Sequence, residues 1–193
     1  ILAHARTFPI NPDWKLIALA PIQSSTEESS TKEFNKTLES ILAILAAREA
    51  EPNTNLARML EIGSNLLEAA SIAIYIGNEQ KPSARKTLHY GQPGIFPDEI
   101  FSSEITKFLE PTLWIRDQRA IVSFLHQSAR KAGLAYLATT PIGDGNATIG
   151  ILAAGGFLEP NSLNFRLRVQ ILGKLISNFI ADGVLVENLE KTN

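Results

Sequence analysis

The chain has 193 residues, of which 45% are hydrophobic and 20% are charged, and its formal net charge is −2. These proportions are typical of a globular protein, and without a basic excess we expect no binding to nucleic acid or to an anionic membrane surface. No apolar run approaches the roughly 20 residues of a membrane span. The absence of cysteine excludes disulfides, thiolate metal sites, cysteine nucleophiles and thioether-linked chromophores. A chain without disulfides is usual in the cytosol but does not fix the compartment, and we expect a cytoplasmic location.

Residues 1–31 are predicted to be an N-terminal segment followed by a linker. The stretch "DWKLIALAPI" has the apolar weight of one strand, and Pro9, Pro12 and Pro21 interrupt the region. The polar run "QSSTEESST" that follows is typical of a linker. Because Ile1 begins no signal-peptide pattern, we interpret the segment as the end of a preceding module of a longer protein, or as an additional strand.

Two helices are predicted next. Over residues 32–52, apolar residues recur at spacings of 4, 3 and 4, which predicts a coiled-coil-like helix with this seam: Phe34, Leu38, Ile41 and Leu45. Pro52 cannot continue this helix, and Asn53 or Thr54 can cap the one that follows. The second helix ends near Ala70 and has these apolar positions: Leu56, Met59, Leu60, Leu66 and Leu67.

The middle of the chain mixes short strands and helices. The stretches "SIAIYIGN", "KTLHYG" and "TLWIRD" predict strands, and residues 92–111 are predicted to be irregular apart from the short helix "SSEITKFLE". A helix over "QRAIVSFLHQSARKAG" ends at Gly133. The stretch "LAYLATTPIGDGNATIGILAAGG" predicts a β-hairpin, whose small residues allow a helix or a ligand to approach closely.

The last predicted helix starts near Ser162 and carries two apolar stripes. The first keeps a 3.5-residue register: Phe165, Val169, Leu172, Ile176, Phe179 and Val186. The second lies beside it: Ile171, Leu175, Leu185 and Leu189. Because two stripes need two surfaces for burial, we expect one to cover the sheet and the other to face a second copy of the chain. On this hypothesis, Ile176→Asp breaks a dimer.

The order of these elements predicts the α+β class, because strands joined by a tight hairpin are antiparallel and not part of a doubly wound parallel sheet. The order also resembles that of a GAF domain over about residues 55–189, through "NLARMLEIGSNLLEAASIAIYI", "LWIRD", "KAGLAYLATTPI", "NATIGILAAGG" and "LNFRLRVQILGKLISNFIADGVLVENL". The resemblance implies a central antiparallel sheet of about five to six strands. Long leading and closing helices would cover one face, and short helices and loops would cover a pocket on the other.

In function, the resemblance implies a cytoplasmic sensory domain of a larger signalling protein, such as a sensor histidine kinase. The GAF-like domain with its closing helix would occupy residues 53–193, after the coiled-coil-like leading helix. It would bind a small ligand and form a homodimer through its leading and closing helices, so that the ligand shifts the helices by favouring one packing of the pocket. Two alternatives stay open: a ligand-free dimerisation spacer and the effector domain of a transcription regulator. The sequence identifies neither the ligand nor a cofactor.

Within this resemblance, aromatic side chains and one arginine are the candidates for the lining of the pocket. The arginine would anchor a polar group, and the others would form the walls: Tyr75, His89, Trp114, Arg116, Phe124 and Tyr136. For each aromatic residue, a filled core is the alternative. For Arg116 the alternative is a solvated charge cluster.

No catalytic or metal site is predicted. His4, His89 and His126 lack a second histidine at a metal-binding spacing, and neither HExxH nor GxSxG is present. Some GAF domains ligate a haem through one histidine, but a hydrogen-bonded structural role fits His89 better. Cyclic-nucleotide-binding members carry an NKFDE-like motif, and the bilin-attaching and methionine-sulfoxide-reducing members need a cysteine. This chain has neither feature, and we expect a domain without enzymatic activity.

Overall fold

A computed structural model of the chain describes residues 3–11, 14–21, 35–43, 52–77, 82–116, 123–143, 147–160 and 164–190. The chain divides into two units, Ile1–Glu39 and Ser40–Asn193. Of the leading helix predicted over residues 32–52, the structure describes residues 35–43, which form α1, and Pro52, which begins α2. The rest of that prediction lies outside the described residues.

The first unit contains a β-hairpin. Its strands, β1 (Ala3–Asn11) and β2 (Trp14–Pro21), pair antiparallel and form a sheet of their own among the described residues. The sequence predicts one strand here, and the structure has two. The stretch "AHARTFPIN" is hard to recognise as a strand because it combines alanine and polar residues with a proline, instead of a run of β-branched residues.

The second unit is built on a six-stranded antiparallel sheet in the order β5-β4-β3-β8-β7-β6. The strands are β3 (Ser71–Gly77), β4 (Ser83–Gly91), β5 (Glu99–Phe101), β6 (Thr112–Ile115), β7 (Tyr136–Gly143) and β8 (Thr148–Gly156). The helices are α2 (Pro52–Leu67), α3 (Ser102–Ile105), α4 (Phe124–Lys131) and α5 (Phe165–Glu190). This arrangement confirms the predicted α+β class, and β5 adds a strand in the region predicted to be irregular. Over the part of the chain that the structure describes, no helix combines the length and the apolarity that crossing a bilayer requires.

The strands contribute alternate residues to two separate cores. On β3, Ile72 and Ile74 belong to the core that also contains residues of α2 and α5, whereas Ala73 and Tyr75 belong to the core on the opposite side. We call the first side of the sheet the helix face and the opposite side the far face.

The first apolar stripe of α5 packs on the helix face. Leu172 and Ile176 are fully buried in that core, whereas Ile171 and Leu175 of the second stripe are half-buried. The expectation that Ile176→Asp tests a dimer is therefore wrong, because this substitution would place a charge in the core of a single chain. The side chains of residues 182–190, which include the last positions of both stripes, lie outside the described part.

The end of α2 joins three elements on the helix face. The carbonyl oxygen of Leu67 accepts a hydrogen bond from the Tyr136 hydroxyl of β7 at 2.6 Å, and that of Leu66 accepts one from Arg168 Nη1 of α5 at 3.3 Å. Carbonyl groups in the last turn of a helix have no partner within the helix, and here side chains of the sheet and of α5 satisfy them. The next residue, Glu68, has a φ of 51° and turns the chain toward β3.

Candidate functional site

The far face is the candidate site because short segments cover it. Its core is closed by residues 92–98, by α3 and the turn after it, and by α4 and the residues that lead into β7. The larger buried side chains of this core are mostly aromatic or leucine: Tyr75, Phe96, Phe108, Trp114, Leu125, Leu134 and Leu137. Short segments with separate attachments can open independently of one another, whereas a long packed helix opens as a unit.

The small residues of the central hairpin serve both faces. The alanines are divided between the two cores: Ala138 and Ala154 on the helix face, and Ala153 on the far face. At Gly155, an added Cβ would overlap Leu134 Cδ1 and would lie 3.0 Å from Tyr136 O and 3.5 Å from Phe96 Cζ. On the far face, the side chains of Phe96 and Leu134 therefore pack against the part of the hairpin that has small residues.

Residues 92–98, which we call the strap, connect β4 to β5 over the far face. The strap begins after Gly91, whose φ of 94° is in the region that favours glycine. The amide of Gln92 then donates a hydrogen bond to Ala70 O at 2.8 Å. Ile95 and Phe96 are buried in the far-face core, so the strap is part of that core as well as its cover.

Tyr75 and Lys86 hold the second half of the strap. Tyr75 Oη donates to Pro97 O at 2.6 Å, while Lys86 Nζ donates to Phe96 O at 3.0 Å and pairs with the Asp98 carboxylate at 2.7 Å. Burial, with a contribution from the Asp98 charge, raises the pKa of Tyr75 well above its ordinary value and keeps the hydroxyl protonated. The Lys86 ammonium, by its hydrogen bond and its charge, lowers the pKa of Asp98.

His89 holds the first half of the strap. Its Nε2 atom lies 3.2 Å from Gln92 O and 2.9 Å from Ser71 Oγ. Because a carbonyl oxygen only accepts, the first contact requires a proton on Nε2. In this structure His89 makes the hydrogen bonds that a structural role requires, and its place in a ligand pocket stays a prediction.

Glu104 is a buried carboxylate that connects α3 to α4. Its side chain is almost inaccessible, and it accepts hydrogen bonds from Lys107 Nζ at 2.5 Å and from the amide of Phe124 at 2.8 Å. An ionised carboxylate in a core requires such partners, since burial of an unpaired charge is costly. The pair of bonds fixes the start of α4 on the far face.

Ser123 and His126 form the N-terminal cap of α4. Ser123 Oγ accepts a hydrogen bond from the amide of His126 at 3.1 Å and lies 2.7 Å from His126 Nδ1. The serine oxygen has two acceptor sites and one proton, so the tautomer of His126 sets the direction of its contact with Nδ1, while the bond from the amide caps the helix.

The imidazole of His126 lies between two aromatic rings of the far-face core. Its centroid is 5.8 Å from that of Phe108, nearly parallel, and 5.7 Å from that of Trp114, edge to face. Burial lowers the pKa of His126 to about 4, the nearby Arg130 charge adds to this effect, and Glu104 opposes it. The ring is therefore neutral at pH 7.

The structure brings together only part of the predicted pocket lining. Tyr75 and Trp114 are buried in the far-face core, and His89 lies on the same face beside the strap, half-buried.

The other three predicted residues lie elsewhere. Tyr136 points to the helix face, because it occupies the alternate position of β7. Arg116 is exposed, and its guanidinium donates to the carbonyl oxygens of Leu134, at 3.1 Å from Nε, and of Gly133. Phe124 is 44% exposed at the first turn of α4. The side chain of Tyr136 does not reach the far-face core, because β7 separates the two.

The pocket lining predicted from the sequence does not include Lys86, whose Nζ atom contacts both Phe96 O and the Asp98 carboxylate. Strict alternation along β4 would place Lys86 and His89 on opposite faces of the sheet. The structure has a β-bulge there: Tyr75 pairs with Lys86 and Ile74 with Leu88, so one residue is left over. The bulge brings Lys86 and His89 to the same face, and no local sequence signal marks it.

No protein-family model and no curated protein matches the sequence. Solved structures do match. One is the GAF domain of a protein assigned as a sensor histidine kinase from Pseudomonas syringae pv. tomato, with 10% identity, coverage of 87% of this chain and 97% of that chain, and a TM-score of 0.55. Another is the phycocyanobilin-bound GAF domain of a cyanobacterial phytochrome, with 14% identity, coverage of 77% and 96%, and a TM-score of 0.61.

A third similar structure is the free methionine-R-sulfoxide reductase from Neisseria meningitidis in complex with its substrate. It has 13% identity to this chain, covers 83% of this chain and 94% of its own, and gives a TM-score of 0.58. At these identities the likeness concerns the fold. The chain has a GAF-like fold, as the order of its sequence elements predicts.

Proposed function

We propose that this chain is a cytoplasmic sensory domain of a larger signal-transduction protein, of the sensor histidine kinase type, and that it binds a small ligand at the far face. One observation carries the proposal: the two faces of the sheet are covered differently. Short segments close the core on the far face, whereas the long helix α5 packs on the helix face. The similar structures support it, because they include a domain from a protein assigned as a sensor histidine kinase and a domain with a bound bilin.

Adjacent residues of β7 offer a route from the ligand to the helices. Leu137 lies in the far-face core, whereas Tyr136 bonds to Leu67 of α2 and its ring meets that of Phe165 of α5 at 5.0 Å, edge to face. A ligand that displaces Leu137 therefore also displaces a residue that contacts both helices. The signal is a population shift: a ligand that prefers one packing of the far face changes the fraction of chains with α5 in one position.

A binding role is proposed and not a catalytic one. The carboxylate of Glu104 is engaged by Lys107 and by the start of α4, and Ser123 and His126 are bonded to each other. The 193 residues contain no cysteine and so offer no thiol for the chemistry of the sulfoxide-reducing GAF proteins.

The proposed domain is a homodimer through its leading and closing helices. α5 is 26 residues long, and Ile171 remains half-buried on it in the single chain. Ile171→Glu is expected to halve the mass measured by light scattering, and Arg166→Glu, at an exposed position on another side of the same helix, is expected to leave it unchanged. An unaltered mass in both variants would contradict this interface.

Native and denaturing mass spectra of the purified chain, with an absorbance scan of the same sample, test ligand binding. We expect an additional small mass in the native spectrum that is lost on denaturation. The same experiment is repeated after incubation with a small-molecule extract of cells, which detects a ligand that is lost during purification. A chain without added mass in both experiments would contradict the proposal.

The second candidate is a ligand-free dimerisation spacer. It is favoured by the pairing of buried polar groups on the far face: Ser71 contacts His89, the Thr112 and Thr139 hydroxyls lie 2.6 Å apart, and Ser123 contacts His126. A core whose polar groups already have partners needs no ligand to satisfy them. A dimer that stays without added mass would support this candidate.

A further inference from the structure

The strap provides hydrogen-bond acceptors for side-chain donors of the sheet. Donors on β3 and β4, namely Tyr75 Oη, Lys86 Nζ and His89 Nε2, face acceptors of the strap, and among these acceptors the Asp98 carboxylate carries a negative charge. The strap thus presents carbonyl oxygens, an anion and an aromatic ring to one part of the far face.

The aromatic ring belongs to Phe96, which is 2% exposed. It approaches the backbone of β8 where Gly155 lacks a side chain, and it lies in the same core as Tyr75 and Trp114. If the strap moved away, the side chains of Ile95 and Phe96 would leave the far-face core and open an apolar space beside Gly155 that can hold a phenyl ring. Tyr75 Oη and the cationic Lys86 Nζ would lose their strap partners at the same time, whereas His89 Nε2 would keep its contact with Ser71 Oγ.

The bonds that hold the strap are unequal. Asp98 is exposed, with 95% of its side chain accessible, so its pairing with Lys86 competes with water. Tyr75 is fully buried and its hydroxyl stays protonated. If Pro97 O moves away, this hydroxyl therefore needs another acceptor. A molecule that carries both a ring and an anionic acceptor can therefore replace the strap without leaving Tyr75 and Lys86 unpaired.

We propose that the strap occupies the binding site of a small aromatic carboxylic acid, and that such a ligand displaces it. The carboxylate takes the place of Asp98 at Lys86, the ring takes the place of Phe96 beside Gly155, and Tyr75 donates to the ligand. This inference rests on the proposed function, since it specifies the ligand class and the gate of the same far-face site.

Phenylacetate is a suitable probe, and its binding to the full chain is measured by isothermal titration calorimetry. Asp98→Asn, which removes the competing anion at an exposed position, is expected to lower the Kd for phenylacetate about fivefold relative to wild type. Glu99→Gln, the adjacent exposed carboxylate, is the matched control with an unchanged Kd. Phe96→Ala is expected to lower the Kd at least tenfold, and circular dichroism verifies the fold of each variant.

The charge requirement is tested with phenylacetamide and with Lys86→Met. In the Asp98→Asn chain, we expect phenylacetamide to bind at least tenfold more weakly than phenylacetate, and Lys86→Met to remove this difference. Arg85→Met, a cationic neighbour on the same strand, is the control that keeps it. Phenylacetate is also expected to increase hydrogen exchange at the amides of Lys86 and Gln92, which bond to Asp98 O and Ala70 O in the closed strap.

A folded Asp98→Asn chain that does not bind phenylacetate at millimolar concentration would overturn the inference. So would equal Kd values for the acid and the amide, or binding without increased exchange in the strap. These failures are distinguishable from failure of the proposed function. A non-acidic molecule found by native mass spectrometry would refute only the ligand class, whereas absence of any bound mass would refute the sensory proposal itself.

Discussion

Two buried tyrosines make the same hydrogen bond on opposite faces of the sheet. Tyr136 donates to Leu67 O on the helix face and Tyr75 donates to Pro97 O on the far face, each at 2.6 Å. Leu67 ends a helix of 16 residues that packs along the sheet, whereas Pro97 belongs to a short strap. The same hydrogen bond thus secures a long packed helix on one face and a short cover on the other. We expect loss of the first bond to destabilise the whole domain and loss of the second to release only the strap.

The largest effect is expected in the helix-face core. Leu172 is fully buried, and its Cδ2 atom lies 2.7 Å from the position that a Cβ on Gly63 of α2 would occupy. Leu172→Ala is expected to lower the free energy of unfolding by about 3 kcal/mol through lost contacts and a cavity. Urea denaturation followed by circular dichroism measures this value. Leu158→Ala, at a 75% exposed position after β8, is the control and should change it by less than about 0.5 kcal/mol. Equal losses of unfolding free energy in the two variants would contradict the place of Leu172 in the core.

A pH-dependent effect is expected on the far face. The folded pKa of His126 is about 4 because of burial and Arg130, with Glu104 opposing, whereas an unfolded histidine has a pKa of about 6.5. Between these values the unfolded chain binds more protons than the folded one. The contribution of neutral His126 to stability is therefore complete above pH 6.5 and is lost as the pH falls toward 4.

Urea denaturation at pH 7.5 and at pH 5 measures this contribution. Between these two conditions, wild type is expected to lose about 1 to 2 kcal/mol more than His126→Gln loses. Parallel losses in the two proteins would mean that His126 does not titrate in this range.

A smaller effect is expected at the start of α4. Ser123→Ala removes the side-chain acceptor for the amide of His126 and the hydroxyl that contacts its ring, and should lower the free energy of unfolding by about 1 kcal/mol. Ser128→Ala, within the same helix, is the control and should have little effect. Thermal denaturation of both variants distinguishes a cap from a general effect of replacing serine in α4.

The smallest effect is expected for an exposed ion pair at the edge of the sheet. Arg85 Nε lies 3.9 Å from Glu99 Oε1, and the two side chains are 85% and 51% exposed. Arg85→Gln should change the free energy of unfolding by less than about 0.5 kcal/mol, because water and salt screen such pairs. A loss above 1 kcal/mol in urea denaturation would show that this edge supports the sheet more than its exposure suggests.

The two faces also differ in how far the sequence predicts them. The helix face follows from local periodicity: Leu172 and Ile176 recur at helical spacing, and Ile72 and Ile74 alternate on a strand. The far face depends on contacts between distant segments, such as the bond from the amide of Phe124 to Glu104, twenty residues away.

Local patterns give no signal for such pairs, nor for the bulge that places Lys86 on the far face. For this reason the sequence predicts the α+β class and the antiparallel sheet. It also predicts that Tyr136 lines the far-face pocket, whereas the side chain of Tyr136 lies on the helix face.

The most direct test of the difference between the faces is native-state hydrogen exchange on wild type, Tyr75→Phe and Tyr136→Phe. The two variants lose the same hydroxyl group from equally buried sites. We expect Tyr75→Phe to increase exchange at the amides of Lys86 and Gln92 and to leave β3, β8 and α2 close to wild type. Tyr136→Phe is expected to increase exchange throughout the second unit. A uniform increase in both variants would contradict this difference between the faces, because the strap would then open only when the whole sheet unfolds.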